Sequence, residues 1–322
     1  MRSGRPGYVT AMAYGDFSGD GHADVFYAPQ DESSGSLAAE LYTGNGSGEF
    51  VRDAGFAGGS PPGRRNARKA LPGDYNGDGR IDVLVLGPGD APYTLLSTGS
   101  GHVRGGGLDR YVGEGQYTGA AADLDADGDL DVFLSDPPVL LLNDGEGRFS
   151  QSLRPVRLGG FVLASELVDV DVDGYLDLLV GGHEQDGDRT QILWGDSTGV
   201  FDAANGTLLP AVESYGVVLD IDVADTDGDG DKDLVITRTG DGTSRGFHEG
   251  YYVQLVEQAG DRHFTDATTE SLAGNEDAGA EGISWIRIYD ADDDGDLDIV
   301  ADDYWAWNLI WRNDGAGRFQ RN

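Results

Sequence analysis

Six nine-residue phrases in this chain place oxygen-bearing side chains at alternate positions and then close on an aspartate: D-x-[DNS]-x-D-G-x-x-D. Such spacing lets the side-chain oxygens of positions 1, 3, 5 and 9 converge on one hard cation, with the backbone carbonyl of position 7 completing the shell. Loop 1 offers Asp16, Ser18, Asp20, His22 and Asp24; loop 2 offers Asp74, Asn76, Asp78, Arg80 and Asp82. Loop 3 supplies Asp123, Asp125, Asp127, Asp129 and Asp131, and loop 4 Asp169, Asp171, Asp173, Tyr175 and Asp177. Loop 5 has Asp225, Asp227, Asp229, Asp231 and Asp233; loop 6 has Asp290, Asp292, Asp294, Asp296 and Asp298. Calcium takes six to eight oxygens of this kind, and the glycine at position 6 permits the sharp turn. About six calcium sites are therefore expected. Loops 1 and 2 carry three carboxylates against four in the others, so they should bind most weakly.

An EF-hand would end at position 12 with a bidentate Glu. Here that position is Tyr27, Val85, Leu134, Val180, Ile236 or Ala301, none of which can hold a metal. A short apolar run follows position 9 instead, such as Val83-Leu84-Val85 or Leu234-Val235-Ile236. Runs of that length between turn residues read as buried strands. Further on comes [DN]-G-x-G-x-F, clear at Asn45–Phe50, Asp144–Phe149 and Asp314–Phe319, looser at Thr98–Val103 and Asp196–Phe201. Asp-Gly or Asn-Gly between apolar flanks is a tight hairpin turn. Each repeat thus predicts strand A, cation loop, strand B, variable loop, strand C, glycine turn and strand D, a four-stranded antiparallel propeller blade. No amphipathic helix is expected.

First aspartates lie 58, 49, 46, 56 and 65 residues apart, and 48 more lead from Asp290 through the C-terminus round to Asp16. That remainder is one ordinary repeat, so the chain reads as an all-β, six-bladed β-propeller in a single domain. The blades are expected at about 8–60, 66–112, 117–158, 161–212, 216–275 and 282–322. The repeat resembles the FG-GAP/VCBS family, the calcium-binding blades of integrin α-subunit propellers and of many secreted bacterial proteins, over essentially all of residues 8–322. Propellers of that family commonly have seven blades, which keeps open that this chain is part of a seven-bladed propeller or of a longer protein. The resemblance implies an extracellular or cell-surface location, cation loops on the lower face, and partners meeting the opposite face of D–A and B–C loops.

Net charge is −36, and the side-chain ligand positions account for 22 of the 58 acidic residues. Six Ca²⁺ would bring the total to about −24. The remaining acidity excludes nucleic acid and anionic membrane surfaces as partners. The absence of cysteine removes disulfide and thiol chemistry, and no apolar run approaches the ~20 residues of a spanning helix. The N-terminus lacks a signal-peptide apolar segment, so Met1 is expected to head a trimmed or incomplete chain. A monomer, or part of a larger surface protein, is expected.

Three residues before each first aspartate stand Ala13, Leu71, Ala120, Glu166, Asp222 and Arg287. Blades 4 to 6 break the small-or-apolar rule for innermost strands. Either Arg287 neutralises Asp222 in an ion-paired plug, or a polar pocket opens there. Blades 4 to 6 also carry the longest B–C loops, so a ligand surface for glycan or protein is expected from Trp285, Arg287, Tyr304, Trp305, Arg245, His248 and His183, with aromatic and arginine anchors leading. Tyr93 is expected on the inert rim of blades 1 to 3. The basic run Arg64-Arg65-Asn66-Ala67-Arg68-Lys69 reads as charge balancing or as a grip on an anionic polysaccharide. Catalysis has little support: the five histidines are scattered and no HExxH or nucleophile elbow occurs. The enzyme alternative is a polysaccharide lyase or glycoside hydrolase using the blade 4–6 face, with Glu166 and Asp222 as an acid–base pair.

Overall fold

The computed structural model of the protein describes residues 8–30, 39–56, 67–88, 92–98, 102–108, 116–184, 189–243, 245–260, 262–301 and 309–322. The chain divides into two compact units, Met1–Leu153 and Arg154–Asn322. Each contains three antiparallel sheets whose strands follow sequence order, and these six sheets are propeller blades as the repeat arithmetic anticipates.

In the first unit, blade 1 runs Tyr8–Gly15, Asp24–Gln30, Glu40–Gly44 and Phe50–Arg52. Blade 2 follows with Lys69–Gly73, Asp82–Leu86, Tyr93–Ser97 and His102–Gly107, and blade 3 with Gly119–Ala122, Asp131–Ser135, Pro138–Asn143 and Phe149–Gln151. Strand B of blade 2 shows why the run after its opening aspartate is apolar at every position. In blade 2, Val83 and Val85 join Phe17, Phe26 and Tyr93 in one core cluster. Leu84 and Leu86, pointing the other way, join Tyr75, Val132 and Phe149 in the next. Side chains alternate across a strand, so a strand covered on both faces must be apolar throughout, each buried Val or Leu contributing about 1.5–3 kcal/mol. Tyr93 is 1% exposed in this core, which corrects its expected place on the rim.

In the second unit, blade 4 runs Val162–Val168, Asp177–Gly182, Gln191–Leu193 and Thr207–Leu208. Blade 5 runs Val217–Ala224, Asp233–Thr239, Glu249–Gln258 and Phe264–Asp266, and blade 6 Ile286–Tyr289, Asp298–Ala301, Ile310–Asn313 and Phe319–Arg321. The same alternation places Leu234 and Ile236 with Leu179 and Val218, and Val235 with Ile286 and Trp311.

The interblade segments add pairings that the repeat pattern does not announce. Val156–Arg157 lies parallel to Phe201–Asp202, and Leu272–Ala273 lies parallel to Phe319–Gln320. The second covers the outer edge of blade 6, which would otherwise expose unpaired backbone groups, whereas the first pair is a two-stranded sheet of its own. In blade 4 this overturns the hairpin expected at Asp196–Phe201. Phe201–Asp202 is taken by the parallel partner, a 3-10 turn at Ala203–Asn205 follows, and Thr207–Leu208 becomes the fourth strand. Blade 5 gains a fifth strand, Glu276–Glu281, beside Glu249–Tyr252. The single α-helix among the described residues is one turn, Thr268–Ser271.

Candidate metal centres

All six loops join strands A and B in one register. The residue before position 1 sits opposite position 9: Gly15 opposite Asp24, Gly73 opposite Asp82, and Ala122 opposite Asp131. The second unit repeats it with Val168 and Asp177, Ala224 and Asp233, Tyr289 and Asp298. Each closing aspartate is at most 1% exposed. Its Oδ1 accepts the N–H at or just beyond the end of strand C: Gly44 at 2.9 Å, Ser97 at 2.7 Å, Asn143 at 2.8 Å, Gly195 at 2.8 Å, Gln258 at 3.1 Å and Asn313 at 2.9 Å. Its Oδ2 accepts an N–H at the head of the loop, from Ser18 at 2.7 Å to Ala291 at 3.1 Å. One carboxylate thus ties loop, strand B and strand C together. Burial pushes the carboxyls of Asp82, Asp131 and Asp177 up to about 6, against the pull of those two N–H donors. Neighbouring aspartates add to the rise, and a cation beside them would reverse it.

The ladder positions are wound by their own backbone. The first aspartate accepts from the N–H of position 6 in every loop, as in Asp123 Oδ2 from Gly128 at 3.0 Å and Asp290 Oδ2 from Gly295 at 2.9 Å. Position 5 accepts from position 7, as in Asp127 from Asp129 at 3.0 Å and Asp294 from Asp296 at 3.1 Å. Those turns need left-handed backbone at position 6, where the six glycines have φ between +79° and +99°. Position 4 is left-handed as well, a requirement the sequence motif hid. Gly19, Gly77 and Gly228 meet it freely, but Ala126 (φ +62°), Val172 (+58°) and Asp293 (+62°) meet it under strain.

Among the described residues, four carboxylate triplets have ligand atoms within 4.8 Å of one another: Asp123/Asp125/Asp127, Asp169/Asp171/Asp177, Asp225/Asp227/Asp229 and Asp290/Asp292/Asp294. All belong to loops 3 to 6. Three use positions 1, 3 and 5; loop 4 substitutes its closing Asp177 for Asp173. Hard carboxylate oxygens at this density fit a divalent cation that prefers oxygen.

The expected ligand residues fall into separate groups. His183 lies 5.4 Å from the Phe161 ring and 5.0 Å from Phe247, whose ring meets His248 edge-on at 4.5 Å. Phe247 is 47% exposed. Sequence reasoning missed both phenylalanines because it weighed Trp and Tyr alone. Arg245 is half-buried, stacked 4.4 Å over Tyr215 and donating to the Ala278 carbonyl at 3.2 Å. Trp285, expected as an exposed anchor, is only 8% exposed, packed at the head of blade 6's inner strand. Arg287 approaches Asp220 Oδ2 at 3.6 Å. Asp222 accepts the Ile288 N–H at 3.0 Å, and its carboxyl is pushed up by burial and by the Glu166 charge, with Arg287 opposing. Tyr304, Trp305 and Trp307 lie outside the described residues, as do Arg64, Arg65 and Asn66 of the basic run. Lys69 is buried, and Arg68 lies 5.9 Å over the Tyr117 ring.

Two buried asparagines just before the glycine turns also escaped sequence reading. Asn143 Nδ2 donates to the carbonyl of Tyr75 in loop 2 at 2.9 Å and to Leu130 at 3.2 Å. Asn313 repeats this on Thr226 of loop 5 at 2.8 Å and Leu297 at 3.0 Å. Each staples its blade to the cation loop of the blade before. The recoverable signal is the Asn preceding Asp-Gly in blades 3 and 6.

A family profile described as FG-GAP-like repeat matches residues 16–85, 74–134, 123–180 and 169–236. Each match runs from the first aspartate of one loop through the strand that follows the next. Among solved structures, the V. cholerae biofilm matrix protein Bap1 aligns with a TM-score of 0.50 and 15% identity, over 88% of this chain and 42% of Bap1. The chain therefore spans less than half the length of that protein. YCF48 from Cyanidioschyzon merolae aligns with a TM-score of 0.48 and 10% identity, over 98% of this chain and 85% of that one. At 15% identity the likeness to Bap1 is one of fold. No curated protein matches the chain. With the repeat profile covering residues 16–236 and the structure carrying the same loop into the sixth blade, the chain belongs to the FG-GAP-like repeat family.

Proposed function

We propose that this chain is an extracellular, calcium-stabilised propeller that acts as a binding or adhesion module for a glycan or protein ligand. Calcium would be held by the ladder carboxylates of loops 3 to 6, and more weakly in loops 1 and 2, where Ser18 and Asn76 replace a charge. The weak, exposed loops suit the roughly 10⁻⁴–10⁻³ M calcium found outside cells. No helix among the described residues is long and apolar enough to cross a membrane.

The observation that carries the binding reading is the ring cluster on the blade 4 and 5 loops, in which exposed Phe247 and His248 pack on half-buried His183 and Phe161. Aromatic rings held on a rigid sheet scaffold offer area at low entropic cost, the usual make-up of recognition hot spots. The matrix role in Bap1's description is compatible with an adhesive use of the same fold. A glycan array probed with the calcium-loaded chain should give hits that Phe247→Ala removes at unchanged melting temperature, and that Val51→Ser, on the exposed outer strand of blade 1, leaves intact. Hits that survive Phe247→Ala would place recognition elsewhere. Release of unsaturated or reducing ends from a bound polysaccharide would favour the enzyme alternative.

A further inference from the structure

In loop 2 the loop's own Arg80 pairs with Asp78 at 3.3 Å, but in loop 4 an arginine from a neighbouring blade stands beside the ligand set. Arg262, in the hairpin turn of blade 5, brings Nε to 2.5 Å from Asp171 Oδ2 and Nη2 to 3.2 Å from Asp173 Oδ2. These are positions 3 and 5 of the ladder, and Asp173 is the ligand missing from that loop's triplet. The guanidinium is built into place. Its carbon lies 4.3 Å over the Trp194 ring, which stacks on Phe264 and donates to Thr207 Oγ1 at 3.0 Å. The turn that presents Arg262 is closed by Ala259 N–H to the His263 carbonyl at 2.8 Å and by His263 N–H to Gly260 at 3.0 Å.

Loop 6 shows the same device from another direction. Arg312, on strand C of blade 6, places Nη1 3.0 Å from Asp292 Oδ2 and 2.8 Å from Asp298 Oδ2, positions 3 and 9. Among the described residues no arginine pairs with Asp225, Asp227 or Asp229 of loop 5, whose ladder has the same four-carboxylate composition.

We propose that Arg262 and Arg312 are intramolecular counter-cations that neutralise the ladders of loops 4 and 6 in the metal-free protein and compete with calcium for them. This rests on the reading that the loops take calcium. A guanidinium in contact with position 3 reduces a four-carboxylate site to the net charge of a three-carboxylate one, and calcium affinity follows ligand charge. Loops 4 and 6 therefore bind more weakly than loop 5 despite equal acidity, and they tolerate calcium loss best. An arginine that merely oriented its aspartates toward the metal, as outer-shell partners do, would act with the opposite sign.

The test is calcium titration of the full, calcium-depleted chain by calorimetry and native mass spectrometry, with melting temperature read in chelator and in saturating calcium. Arg262→Gln should tighten one site roughly tenfold, lower the melting temperature in chelator, and leave the calcium-saturated one unchanged. Arg262→Lys should fall between, since it keeps the charge and loses the fork. Arg262→Gln with Arg312→Gln should tighten two sites, whereas Arg148→Gln, an exposed arginine paired with Asp144 and Glu146 of a glycine turn, should change none. Weaker or unaltered binding in Arg262→Gln overturns the counter-cation role. Failure of the unsubstituted chain to take up any calcium overturns the metal reading on which it rests.

Discussion

Within loops 3 to 6, the closing aspartate and the three ladder aspartates before it share a side chain but live in different places. Asp233 of loop 5 is 1% exposed and accepts from Thr226 N at 3.0 Å and Gln258 N at 3.1 Å, besides the Thr226 hydroxyl. Asp227, two positions into the same loop, accepts a single backbone N–H, from Asp229 at 3.0 Å, at the solvent edge. The contrast separates two duties that the nine-residue motif writes in one letter. Position 9 is architecture; positions 1, 3 and 5 are the carboxylates that the proposed calcium would take as ligands.

The sharpest way to break that contrast is to remove the closing carboxylate. Asp233→Ala strands two buried N–H donors and a hydroxyl, each worth about 1–3 kcal/mol. Denaturant unfolding should show a loss of about 4 kcal/mol that saturating calcium does not restore. Recovery of full stability in calcium would mean that position 9 matters only as a ligand.

The blades were legible in the sequence because their determinants are local. Asp-Gly turns, six recurrences of the loop at spacings of 46 to 65 residues, and the apolar run that opens strand B each fix one element without help from the rest of the chain. The staple made by Asn313 was not legible, because its meaning lies in the Thr226 carbonyl, 87 residues away. The strain at Val172 was hidden for a similar reason: position 4 looks free in a motif, and only the backbone shows that it must be left-handed. Trp285 was misjudged because the inner-strand pattern gives residue order but not which side of the strand is covered.

Asn313→Ala is the next largest effect. It leaves the carbonyls of Thr226 and Leu297 without this donor, and the N–H groups of Gly315 and Gly317 without their acceptor. A loss of about 3 kcal/mol, again insensitive to calcium, is expected in the same unfolding measurement. A calcium-dependent loss would move this residue to the ligand side of the contrast.

Asp227→Asn should do the reverse of both. It keeps an oxygen but removes a charge, so loop 5 should lose roughly tenfold in calcium affinity by calorimetry, about 1.4 kcal/mol. Stability in chelator should hold or rise as ladder repulsion falls. A fall in chelator comparable to Asp233→Ala would erase the distinction between ladder and closing positions.

The smallest effect concerns loop winding alone. Val172 holds φ +58° and is 68% exposed. Val172→Gly should therefore stabilise the protein by about 1 kcal/mol without altering calcium affinity. Destabilisation would show that the left-handed turn at position 4 is not strained.

The most direct test of the whole arrangement is the melting temperature of the full chain in excess chelator and across a calcium titration, with bound ions counted by native mass spectrometry. Each site filled to a hundred times its dissociation constant adds about 2.7 kcal/mol. Melting should therefore rise in steps of occupancy, fall on chelation and recover when calcium returns. An identical melt in excess chelator and in saturating calcium, with no ions bound, would contradict the reading of these loops as calcium sites.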